Sequence, residues 1–213
     1  GHDCVVTDVG STKAELVEAI GGDERFIGGH PLAGAETAGV ANARADLFEG
    51  ARWYLTPAPS CSGVLYDRLQ RLIAGIGARP VAIEPVEHDR AMAVVSHLPH
   101  VFANQLAVQG RPGSERLGAV APSLRDATRV AGSNPPVWGE ILATNHEAVL
   151  EAIHESIAGL QRAAEVIESA DPEKIANWQE EAAHERSALS EVETDAGATH
   201  QLRVLVPNRP GIL

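Results

Sequence analysis

The strongest constraint on the fold of this chain is a change of rhythm at Pro85. Before it, short apolar runs alternate with helical patterns, the arrangement in which βαβ units feed a mostly parallel sheet. Cys4 to Thr7 reads as a buried strand, Asp8-Val9-Gly10-Ser11 as the turn into a helix starting near Thr12, and Phe26 to Gly29 as the next strand. Arg52 to Thr56 and Pro80 to Ile83 supply two more. Between them Leu65, Leu69, Leu72, Ile73 and Ile76 recur at three- and four-residue spacing, which predicts a helix with its apolar stripe on the sheet. Beyond Pro85 the strand signals stop, and helix follows helix to about Val192. The expected architecture is an α/β, mostly parallel part over residues 1–84 and an all-helical domain over 85–195.

In the helical part Val149, Ile153, Ile157, Leu160, Ala164 and Ile167 keep a helical period for about five turns, and Pro172 opens another helix after a break at Asp171. Long, moderately apolar helices of this kind pair between subunits, so a homodimer is expected. Ala196-Gly197-Ala198 reads as a linker, and Gln201 to Val206 resumes strand alternation before Asn208-Arg209-Pro210-Gly211. Met92 is the only methionine and the chain opens on Gly1-His2-Asp3, so a piece of a longer protein is expected. A net charge of -12 repels polyanions, which excludes nucleic acid and anionic membrane as partners and asks for a local Arg at any anionic substrate. Cys4 and Cys61 stand far apart with no C-x-x-C spacing, against zinc and disulfide frameworks, and the cytoplasm is the natural compartment. No window approaches the ~20 apolar residues of a membrane-spanning helix.

Four places offer chemistry. In Gly28-Gly29-His30-Pro31 a His leaves the carboxyl end of a strand, where ligands of open α/β sheets gather, and the glycines would let backbone and cofactor approach closely. It is either a proton-transfer group or a turn His. Ser11 follows a strand at the same edge, and could orient an imidazole or cap the helix it precedes. On a straight helix from Glu87 to Ala107, Asp89, Ser96 and His100 fall within roughly 20° of one line, a polar stripe with little charge that suggests a lined cavity. Pro99 implies a kink nearby. His97 and His100 with Asp89 make a poor metal set, since no H-E-x-x-H pattern accompanies them. Arg129, set among apolar neighbours before a turn, could grip a carboxylate bidentately or pair with Asp126. Trp138 is a core anchor or a cavity wall, and Asn145 continues its segment.

In order and spacing, the turn containing Ser11, GGHPLAGAETAG at 28–39, HDRAMAVVSHLPH at 88–100 and TRVAGSNPPVWGEILATN at 128–145 resemble the prephenate/arogenate dehydrogenase family. The resemblance covers nearly the whole chain. It implies a partial Rossmann-like NAD(P)-binding domain, a helical dimerisation domain and an active site in the cleft between them. His30 matches the family's catalytic His, Ser11 the Ser beside it, and Arg129 the Arg that holds a substrate carboxylate. Ser96 and His100 match residues lining the substrate pocket, with Asp89, Trp138 and Glu36 as further candidate substrate contacts. Asp8 joins Ser11 as a candidate cofactor contact. The implied reaction is NAD- or NADP-dependent oxidative decarboxylation of prephenate to 4-hydroxyphenylpyruvate on the route to tyrosine, or of arogenate to tyrosine directly. HQLRVLVPNRPGIL, residues 200–213, looks like the opening of an ACT domain, counted from residue 199, which implies tyrosine feedback. Two features depart from the family pattern. The Gly-rich dinucleotide fingerprint with its ribose-binding acid is not in this sequence, and Pro122-Ser123-Leu124-Arg125 stands where the family is richer in glycine. Competing readings are a hydroxy-acid dehydrogenase, whose families generally use Lys where this chain has His30, and a non-catalytic dimerisation module with an amino-acid sensor.

Overall fold

The computed structural model describes residues 4–34 and 39–194. Glu36, the 196–198 linker and the ACT-like stretch lie outside the described residues. The chain divides into two compact units, Gly1–Ser156 and Ile157–Leu213.

The first unit opens with a four-stranded sheet of β1 (Val6–Thr7), β2 (Phe26–Pro31), β3 (Arg52–Pro57) and β4 (Arg79–Ala82), lying side by side in that order. β1 with β2 and β3 with β4 are parallel, whereas β2 with β3 is antiparallel and sets His30 opposite Tyr54. Helix α1 (Ala14–Ile20) joins β1 to β2, and α2 (Gly63–Gly75) joins β3 to β4. Among the described residues no α-helix joins β2 to β3, so the return is antiparallel. The expected buried strand at Cys4 to Thr7 is corrected: Cys4, Val6 and Thr7 are exposed, since among the described residues β1 has a strand neighbour, β2, on one side only.

β2 is buried from Phe26 to His30 because both its faces are covered. Ile27 joins Trp53, Leu55, Leu69, Ile73 and Ala78 in the core under α2, while Gly28 lies against Lys13 and Val17 on the α1 side. Each fully buried Leu or Ile there stabilises the fold by about 1.5–3 kcal/mol. Leu65, Leu69 and Ile73 form the buried line of α2. Leu72 and Ile76, expected with them, are exposed; Leu72 sits on the flank of the stripe and Ile76 is already the C-cap.

Helices take over at α3 (Pro85–Met92), which starts with Pro85 in its first turn and the Glu84 carboxylate accepting the Glu87 amide at 2.9 Å. A π turn over Ala93–His97 joins it to α4 (Leu98–Leu117), so the expected kink is a change of winding just before Pro99. α5 (Pro122–Ala127), α6 (Pro135–Thr144) and α7 (His146–Glu168) follow. The segment Pro122 to Arg125 is helical, and Leu124 packs so closely on Gly110 that a Cβ there would meet it at 2.6 Å. The second unit contains the end of α7 and α8 (Pro172–Thr194), the latter begun by Asp171, whose carboxylate accepts the Glu173 amide at 3.0 Å. Ile157, Leu160 and Ile167 on α7 and Leu189 and Val192 on α8 stand open. No helix among the described residues is long and apolar enough to cross a membrane.

Candidate active site

The site is assembled where β1 and β2 end. After β1, Asp8 accepts hydrogen bonds from the amides of Gly10 and Gly29, both at 2.8 Å, and pairs with the Lys13 ammonium. These bonds pin the loop carrying Ser11 against β2. Asp8, expected among cofactor contacts, therefore has both oxygens engaged inside the protein. A Cβ on Gly28 would lie 2.3 Å from Thr56 Oγ1, and one on Gly29 2.6 Å from the Asp8 carbonyl oxygen, so both glycines are needed for close packing of β2 against its neighbours.

Lys13 is fully buried, and burial lowers its pKa against the opposing pull of Asp8 and Asp89. Its backbone N–H and that of Ala14 donate to the Asp89 carboxylate at 2.8–3.0 Å. A side chain of α3 thus caps α1, placing a negative charge at the end where the helix dipole favours one. Ser11 makes no such cap and lines the cavity described below. Thr12 Oγ1 meets Thr144 Oγ1 at 3.0 Å, which ties the same loop to α6.

From Asp89 a chain of side chains runs inward. Asp89 Oδ1 lies 2.7 Å from His88 Nδ1, and His88 Nε2 lies 2.9 Å from His30 Nδ1. All three residues are buried. Burial pushes the Asp89 pKa up, but bonds from His88, Ala14 and Lys13 outweigh it and hold the carboxyl below its ordinary value. His30 moves the other way. Desolvation first, then the charges of His88 and Lys13, lower it from 6.5 to about 4, so the ring is neutral near pH 7. Asp89 was expected to line the cavity with Ser96 and His100. Its oxygens instead serve the Lys13 and Ala14 amides and His88.

His97 takes the place facing Asp89. Asn145 Nδ2 donates to the Asp89 carbonyl oxygen at 2.7 Å and to His97 Nδ1 at 3.1 Å, leaving Nε2 as the protonated nitrogen of a neutral ring. That Nε2 is buried without a hydrogen-bond partner among the described residues. Desolvation lowers the His97 pKa to about 4. Trp138 stands edge-on to His97 and stacks on His100, with centroids 3.5 Å apart. The His100 pKa is lowered, first by desolvation, with the charge of Arg129 acting in the same direction.

A cavity of about 410 Å³ joins Ser11, His30, Met92, Ser96, His97 and Trp138. Four of the expected site residues, Ser11, His30, Ser96 and Trp138, therefore meet. His100 and Arg129 are not in the cavity's lining; His100 stacks on the lining Trp138, and Arg129, on the exposed turn after α5, acts on His100 by its charge. Lys13, His88, His97 and Asn145 complete the arrangement, although spacing assigned none of them a part in it. The adjacent His88-Asp89 pair, inside a stretch already singled out, was the available signal. Among the described residues no group of three or more His, Cys, Asp or Glu is placed to hold a metal. A second recess, of about 390 Å³, is lined by Glu15, Glu18, Glu147 and Glu151, an acidic wall unsuited to an anionic substrate.

A family model described as the prephenate dehydrogenase nucleotide-binding domain matches residues 1–82, and one described as the prephenate dehydrogenase dimerization domain matches 84–181. The chain is 34% identical over 221 residues to the prephenate dehydrogenase of Bacillus subtilis, covering 100% of this chain and 60% of that protein. It is 32% identical to the cyclohexadienyl dehydrogenase of Zymomonas mobilis, over 88% of this chain and 67% of that one. The chain thus spans about 60% of the length of the Bacillus relative. Among solved structures, prephenate dehydrogenase from A. aeolicus in complex with hydroxyphenyl propionate and NAD+ superposes with a TM-score of 0.82 at 31% identity, over 89% of this chain and 68% of that one.

Proposed function

The chain belongs to the prephenate dehydrogenase family, and from that premise we propose that it carries the substrate side of an enzyme converting prephenate to 4-hydroxyphenylpyruvate. One observation carries this reading: a buried, neutral imidazole, His30, at the carboxyl end of β2, sharing a cavity with Ser11, Ser96, His97 and Trp138. NAD is favoured over NADP because the A. aeolicus relative was solved with NAD+, and prephenate over arogenate because that compound names the Bacillus relative.

The cavity suits the reactive end of such a cofactor because it holds the hydroxyls of Ser11 and Ser96, and the open Val9 side chain, two residues before Ser11 and outside the cavity lining, is an apolar surface on the same loop. Ser11 and Val9 would hold that end. Bound NAD supplies the hydride acceptor. His30 accepts the proton of the ring hydroxyl, which frees the oxygen's electron pair to form a carbonyl as hydride leaves the same carbon. Ser11 orients that oxygen. When the carbon–carboxylate bond breaks, carbon dioxide departs and its electron pair aromatises the ring. The proton held by His30 returns to the oxygen, now phenolic. Ser96 and His97 face the substrate as hydrogen-bonding groups, Trp138 is a wall for its ring, and Arg129 with His100 takes a carboxylate. Asp89 keeps a part at one remove, through His88.

Two copies pair through the open apolar side chains of α7 and α8. Tyrosine feedback through an ACT domain opening at residue 199, a substrate contact at Glu36 and a cytoplasmic setting belong to the same proposal. In the full-length enzyme, followed by nicotinamide absorbance with prephenate and with arogenate, His30→Asn is expected to abolish turnover with little change in NAD affinity. Arg129→Ala is expected mainly to raise the prephenate KM. Near-normal turnover in the first variant would remove His30 from the mechanism.

A further inference from the structure

The proton taken by His30 must enter a site from which water is largely excluded, and the ring is only 6% exposed. An imidazolium there would face the Lys13 ammonium at the start of α1, with His88 on α3 and His97 on the π turn against it and Asp8 alone opposing. The hydrogen-bonded chain behind the ring answers this difficulty. Asp89, an acceptor for the amides of Lys13 and Ala14, is also the acceptor for His88 Nδ1–H. A neutral His88 then has only a lone pair at Nε2. That lone pair accepts from His30 Nδ1, 2.9 Å away, so His30 keeps its hydrogen on Nδ1 and a lone pair on Nε2. Tyr54 packs edge-on to His88 with centroids 5.7 Å apart.

We propose that His88 and Asp89 are positioning residues that fix the tautomer of His30 with Nε2 as the base and hold the substrate's proton during hydride transfer. The inference rests on His30 being the base. As the substrate O–H bond breaks, its proton bonds to His30 Nε2, and the Nδ1 proton moves to His88 Nε2. The positive charge then stands beside the Asp89 carboxylate and not between His30 and Lys13. When the phenolic oxygen takes its proton back, both transfers reverse and the two imidazoles regain their first state. Nothing is oxidised within the relay.

Asp89→Asn and His88→Gln separate the two parts of this role. In Asp89→Asn the side-chain oxygen can still accept the α1 amides, but its NH2 then points at His88 Nδ1 and forces a hydrogen onto His88 Nε2. His30 must now accept at Nδ1, and its Nε2 carries the hydrogen. Nitrogen chemical shifts of 15N-histidine-labelled full-length protein report this without any turnover. The expected result is the Nδ1–H form of His30 in the wild type and the Nε2–H form in Asp89→Asn. The kcat is expected to fall about 10²–10⁴-fold, the range of general base catalysis, with prephenate KM and NAD affinity within about threefold. In His88→Gln the amide oxygen still accepts from His30 Nδ1–H, so the tautomer stays while proton storage is lost. There kcat is expected to fall about 10–100-fold and the acid limb of the kcat profile to move. An Nε2–H form in the wild type, or a folded Asp89→Asn enzyme within threefold of wild-type kcat, overturns the relay. An inactive wild type with the Nδ1–H form would instead count against the proposed reaction and leave the tautomer assignment standing.

Discussion

Replacing Gly29 by Ala tests whether the site is held by the close approach of β1 to β2. A Cβ at this position would lie 2.6 Å from the Asp8 carbonyl oxygen, 2.8 Å from Thr7 Oγ1 and 3.1 Å from Trp53 Nε1. The first contact is with backbone, which no rotamer change can relieve, so β1 must move away from β2. Among the described residues the ladder on that edge has two residue pairs, Val6 with Phe26 and Thr7 with Ile27. Overpacking of this kind costs about 1–3 kcal/mol. The same movement strains the bond from the Gly29 amide to Asp8 Oδ1, a bond to a charged acceptor that contributes about 1.5–3 kcal/mol. Together these predict a loss of about 2.5–6 kcal/mol, or a fall in melting temperature of about 5–24 °C for a chain of this size. Gly139→Ala is the contrast. It lies inside α6 with nothing within 4 Å of the added carbon, and should gain about 0.5–1 kcal/mol from helix propensity. Melting followed by circular dichroism checks both. A Gly29→Ala protein melting within about 2 °C of wild type would refute the crowding argument.

Acid should weaken the fold through its buried imidazoles. His30 and His97 bind protons less well folded, near pKa 4, than unfolded, near 6.5, so between those values the unfolded chain takes up more protons and stability falls as pH falls. At 1.36 kcal/mol per tenfold change in proton affinity, each ring contributes on the order of 3 kcal/mol above pH 6.5 that is lost by pH 4. Urea midpoints across this range should drop steeply for wild type and less steeply for His97→Gln; parallel curves would contradict the assignment. Lys13→Met strands the Asp8 carboxylate beside a buried pocket and should cost about 3–5 kcal/mol by urea unfolding, whereas a cost below about 1 kcal/mol would make the pair dispensable. Leu160→Glu on the open face of α7, where Leu160 is 60% exposed, should yield monomers by light scattering while leaving the melting temperature of the monomer unit unchanged. An unaltered dimer would move the interface elsewhere.

What could be read from the sequence depended on how far each feature is set by local chemistry. Strand and helix positions were legible because they follow apolar periodicity and breakers such as Pro85 and Pro172. The exposure of β1 was not, since an edge strand and a central one can share a composition. His30 and Ser11 were legible as candidates because both leave strand ends. The imidazole that faces Asp89 was hidden for a backbone reason. On a straight helix Asp89 and His100 differ by roughly 20°, and Asp89 and His97 by roughly 80°. The i to i+5 bonds over Ala93–His97 hold one more residue in a turn, which sets everything after it back by roughly one residue, or 100°. That swap brings His97 into line with Asp89, where Asn145 bonds to both, and turns His100 away to stack on Trp138. Residue types alone announce neither the extra residue in the turn nor the rotation, because Ala93 to His97 would serve equally well in an ordinary α-helix. Which imidazole faces Asp89, His97 or His100, is therefore a property of the winding of one turn.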